Sequence, residues 1–157
     1  MRNLTCLLGS CAIAMLLGSS GALAAKCEGS NARTYAAPIT LHKAQDGAAL
    51  LFIESTGTSF TSRGDASALN PSWQRCVGFW SVKADKSGAG AGHCYAVDPD
   101  GDRWTISWEG DNAGGTWQSV SGSGKYANAA DGKGTWTPGP KFAGGISINT
   151  WEGECPE

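Results

Sequence analysis

The stretch GTWQSVSGSGKYANAADGKGTW, residues 115–136, opens and closes on Gly-Thr-Trp and carries few charges. Two turn sequences divide it, Ser121-Gly122-Ser123-Gly124 and Asp131-Gly132-Lys133-Gly134. Glycine and Asp-Gly tolerate the positive φ that tight hairpins demand. Residues 116–120 read as a strand, residues 125–128 as a second running back, and Thr135-Trp136 as a third resuming the first direction. The repeated tripeptide then marks two similarly built entries into an antiparallel meander. Gly122, Gly124, Ala127, Ala129 and Ala130 lie near two large indoles in sequence. Small beside large is how the inside of a closed sheet is filled.

The same reading extends outward. Trp104, Ile106 and Trp108 alternate with Arg103, Thr105, Ser107 and Glu109, which predicts a strand with one dry and one wet face. Ile146 and Ile148 repeat that alternation near the C-terminus. Further strands are expected over 48–55, 73–83 and 93–97. Residues 48–53, AALLFI, form a continuous apolar run. That run fits a strand buried on both faces or one lying under an oligomer contact. No long segment after residue 24 keeps a helical i, i+3, i+4 spacing, and parallel strands would need crossover helices. The expected fold is all-β: a closed antiparallel barrel of about eight strands.

The first residues, MRNLTCLLGSCAIAMLLGSSGALAA, combine one early charge, a short apolar middle and a small-residue exit at Ala22-Leu23-Ala24. This is the pattern of a secretory signal peptide over residues 1–24, leaving a single domain over 25–157. The chain is then expected to be exported, to the periplasm or beyond, with no membrane span after signal removal. Cys27, Cys76, Cys94 and Cys155 remain, an even number in an exported chain, and point to disulfides with three possible pairings. Cys76 and Cys94 flank a turn-rich stretch between neighbouring strand candidates, so Cys76–Cys94 is favoured, with Cys27–Cys155 tying the ends together. The net charge of −2 includes no basic patch, which argues against nucleic acid as a partner.

The segments DPDGDRWTISWEG (98–110), GSGKY (122–126) and the closing strand ending in Trp151-Glu152-Gly153 resemble the allene oxide cyclase barrel-like proteins, related in fold to the plant dirigent proteins. The likeness covers residues 95–153. It departs at Asn128, where that pattern has glycine. It implies an eight-stranded antiparallel barrel with a central apolar pocket, trimeric in many plant relatives, so a homo-oligomer is an open expectation. No catalytic residue carries across, because the pocket residues of the cyclase have no counterpart in residues 26–75.

Seven tryptophans are many for this length. Packing alone can account for them, since each buries about 150–250 Å². Some can instead line a cavity. Trp104, Trp108, Trp117 and Trp136, with Tyr126, are the candidate ligand-binding residues, because their strands are expected to adjoin. Asp98, Asp100, Asp102 and Glu109 match calcium-loop positions, but Arg103 stands where glycine is needed, so a hairpin turn is expected instead. His42 and His93 sit in no ligand or nucleophile motif, and Glu54 reads as a solvated strand end. No phosphate loop or dinucleotide motif calls for a cofactor. The functional expectation is a barrel binding a small apolar or aromatic molecule inside, without a covalent step. A cyclase-like isomerase, a glycan- or surface-binding module using exposed indoles, and a solid barrel that binds only other chains stay open beside it.

Overall fold

The computed structural model describes residues 25–63, 71–127 and 131–155. Nine strands run in chain order: β1 (Ala25–Tyr35), β2 (Ile39–Lys43), β3 (Ala49–Arg63), β4 (Ser72–Val82), β5 (Gly88–Val97), β6 (Arg103–Asp111), β7 (Gly114–Gly122), β8 (Lys133–Lys141) and β9 (Ile146–Cys155). All neighbours are antiparallel. From β3 to β9 the sheet is an up-and-down meander, and β1 closes it by pairing with both β9 and β3. The result is a closed eight-strand barrel. β2 continues the course of β1 along the first part of β3, after a break at Pro38, whose missing N–H interrupts the ladder.

Both disulfides form as favoured, Cys27–Cys155 and Cys76–Cys94. The first ties the start of β1 to the end of β9, next to the seam that closes the barrel. The second joins directly paired residues of β4 and β5 on the inner face.

Residues 125–127 do not form a returning strand. A short 3-10 helix spans Gly124–Tyr126, and β7 pairs directly with β8. The second Gly-Thr-Trp therefore runs opposite to the first, not parallel with it. The two tripeptides lie across from each other, with Gly115 opposite Trp136, Thr116 opposite Thr135 and Trp117 opposite Gly134. That answers why the motif is repeated: read in opposite directions, each copy supplies the gap that the other's indole fills.

The rule holds around the barrel. Every inward indole has a glycine directly across on a neighbouring strand: Trp80–Gly90, Trp104–Gly122, Trp108–Gly92, Trp117–Gly134, Trp136–Gly115 and Trp151–Gly29. Adding a Cβ at Gly78 or Gly92 would place it 2.5 or 2.7 Å from the ring of Trp108. An eight-strand barrel is only just wide enough for its inward side chains or one small ligand, and glycine is the residue that leaves most room for an indole beside it.

Trp104, Ile106 and Trp108 face inward as their alternation predicts. Ile148 does not: the inner positions of β9 are Ser147, Asn149 and Trp151, because the register is fixed by Trp151 and Cys155. The run at 48–53 is not buried on both faces within the chain. Leu51 and Ile53 alternate with the outer Leu50, which is exposed, and Phe52, which meets Phe79 edge-on at 5.9 Å. Among the described residues no helix is long and apolar enough to cross a membrane.

Candidate functional site

The barrel encloses a cavity of about 1020 Å³. Tyr35, Phe142 and Ile146 both line it and remain exposed, so it opens at the end carrying the β4–β5, β6–β7 and β8–β9 turns. The opposite end is closed. Trp104, Trp117 and Trp151 are buried there as a chain of edge-to-face rings, 6.0 and 6.2 Å between neighbours, an arrangement favoured by the ring quadrupole. Trp104 donates its Nε1–H to Ser119 Oγ at 3.0 Å.

Beneath Trp104 lies Tyr126, stacked on it at 6.2 Å and absent from the cavity wall. Its hydroxyl donates to Asp98 Oδ2 at 3.1 Å. Asp98 Oδ1 accepts the N–H groups of Asp100 and Asp102, and Lys125 Nζ bridges Asp98 and Asp100 at 2.6 Å each. Residues 98–102 thus form a tight turn, with Gly101 at φ 88°. Burial works against the Asp98 charge, but the bonds from Lys125, Tyr126 and the Asp102 N–H outweigh it and hold its pKa below the ordinary value. Burial, then the neighbouring Asp98, pushes the Tyr126 phenol up. This cluster latches the barrel floor. Among the described residues no group of His, Cys, Asp and Glu is arranged to hold a metal ion.

Of the five residues singled out in the sequence, Trp104 and Trp117 form the cavity floor, Trp108 and Trp136 form its wall, and Tyr126 sits outside it. Trp80 and Trp151 also line the cavity, whereas Trp73 faces outward and is 48% exposed. Trp80, Trp108 and Trp136 are only half-buried, since they border the open space. Trp136 donates its Nε1–H to Glu109 O at 3.3 Å, which fixes the ring's orientation.

A polar belt joins the indoles, so the pocket is not simply apolar. Asn31, Arg33, Ser55, Gln74, Ser147 and Asn149 all point inward. Arg33 Nη2 donates to Gln74 Oε1 at 2.7 Å, and Nη1 donates to Cys76 Sγ, with Cys94 Sγ at 3.6 Å. Burial pulls the guanidinium pKa down, and Tyr35 works weakly the other way. Arginine nevertheless keeps its charge at any physiological pH. This belt was missed in the sequence because inward polar residues invert the pattern that marks a strand's core face. The signal that remained was alternation itself, Cys27, Gly29, Asn31, Arg33 and Tyr35 sharing one side.

His42 and His93 are both exposed and line no part of the cavity. Glu54 points outward and pairs with Arg75 at 2.7 Å. Residues 1–24, Asn128, Ala129 and Ala130, and with them the signal-peptide reading, lie outside the described residues. No protein-family model, curated protein or solved structure matches the chain.

Proposed function

We propose that this chain is an exported carrier or binding protein that holds a small ligand with a flat apolar body inside its barrel, without a covalent step. The observation that carries this is the mouth-side half of the cavity, where Trp80, Trp108 and Trp136 stand half-covered around an open space. Aromatic walls with a few fixed polar groups are the usual lining of small-molecule sites, and about 1020 Å³ is at the upper end of their usual volume. Export agrees with the two disulfides, which persist in oxidising compartments. The same reading makes the chain a relative of the allene oxide cyclase barrel-like proteins. A surface module gripping glycans with exposed indoles is disfavoured, since Trp73 alone among the seven faces out.

The test is titration with N-phenyl-1-naphthylamine, a neutral aromatic probe that brightens in apolar surroundings, against chito-oligosaccharides. The expected result is saturable brightening at one probe per chain and no response to glycans. Glycan binding without probe binding overturns the reading. Turnover of an unsaturated fatty-acid epoxide replaces the carrier with a cyclase.

A further inference from the structure

We propose that the ligand is an organic anion, its flat body against the indoles and its oxyanion head on Arg33. This rests on the carrier reading above and adds to it the charge of the ligand.

Arg33 projects from β1 into the middle of the barrel. Its partners there are neutral: the amide oxygen of Gln74 and the sulfurs of the Cys76–Cys94 bridge. Among the described residues its Nε has no hydrogen-bond partner. Among the described residues no carboxylate forms an ion pair with it. A guanidinium taken out of water is costly unless an opposite charge meets it. A neutral side chain could fill the same space and bond Gln74 without that cost. The arginine is therefore explained by a counter-charge that arrives with the ligand. Its planar fork suits carboxylate and sulfonate oxygens.

The rest of the cavity agrees. Lys86 and Lys141 line its mouth, and the one carboxylate in the wall among the described residues, Asp111, accepts the Ala113 N–H within its own turn. The cavity is thus net positive in a chain whose formal charge is −2. A cleft of one sign with low-dielectric walls raises the local concentration of the opposite ion. Anions are drawn past the lysines toward Arg33, and the half-covered indoles take the apolar body.

The experiment compares two probes that share one aromatic body: 1-anilinonaphthalene-8-sulfonate and uncharged N-phenyl-1-naphthylamine. On the wild-type chain the sulfonate is expected to bind at least about tenfold more tightly, as a charge-assisted contact implies. In Arg33→Gln that preference falls to within about threefold through lost sulfonate affinity, and Arg33→Lys keeps part of it. Near-UV circular dichroism checks that the variants hold their indoles in place. The wild-type comparison decides whether the cavity takes an anion even if a variant fails to fold, and a folded Arg33→Gln that keeps the full preference overturns Arg33 as the seat of the head group. Equal binding of both probes to the wild type overturns the anion proposal and leaves the carrier reading standing. Binding of neither overturns both.

Discussion

Gly134 shows how the interior is specified one residue at a time. A Cβ there would lie 2.0 Å from the Glu152 carbonyl oxygen and 2.7 Å from Trp117 Nε1. The indole and the glycine are complementary parts of one fit, so even a methyl group overpacks it. Gly134→Ala is expected to lower unfolding free energy by about 1–3 kcal/mol. Thr135→Ala, on the exposed outer face next door, is expected to stay within about 0.5 kcal/mol of wild type. Urea denaturation of the two variants checks this, and equal stability of both would break the indole–glycine account. This part was legible in the sequence as Gly-x-Trp and Trp-x-Gly at 115–117, 134–136, 108–110 and 151–153. What the tripeptides could not show was that the two Gly-Thr-Trp copies face each other, because direction depends on how many strands lie between them.

Among the elements, the floor latch carries the clearest consequence. The β5–β6 turn and the 3-10 helix after β7 meet through Asp98, Asp100, Asp102, Lys125 and Tyr126, beside the paired Arg103 and Ser123. Because the folded pKa of Asp98 is depressed, its contribution is present above the unfolded carboxylate value, about 3.9, and is lost as pH falls through the folded one. Asp98→Asn should therefore cost about 1–3 kcal/mol at pH 7. That gap should close on acidification, as the wild-type carboxylate protonates. Denaturation followed at pH 7 and near pH 2 checks it, and a gap unchanged between the two contradicts the latch. The turn itself was readable from Asp-Pro-Asp-Gly-Asp. The helix was not, since Lys125-Tyr126-Ala127 alternates like a strand and is diverted by its long-range bonds to Asp98, Asp100 and Asp102. β1 stayed hidden for the opposite reason: its inner face carries Asn31 and Arg33, which serve the cavity and not the core.

For the whole molecule, these choices add up to a tube sealed by three buried indoles at one end and lined by three half-covered ones toward the other. The barrel class could be read from strand spacing, and the closure from paired cysteines near the ends. The cavity could not, because its volume is what remains after every register is set. Its charge was equally out of reach, being set by Arg33, on a strand the sequence did not mark, and by Lys86 and Lys141, which only the fold brings to its mouth.

The claim that inward indoles form a ligand chamber is tested most directly by fluorine NMR of protein labelled with 5-fluorotryptophan. Seven resonances, assigned by single Trp→Phe variants, are followed as N-phenyl-1-naphthylamine is added. The resonances of Trp80, Trp108 and Trp136 are expected to move together and saturate while that of Trp73 stays fixed. Movement of Trp73 alone, or of none of the seven, would contradict the chamber.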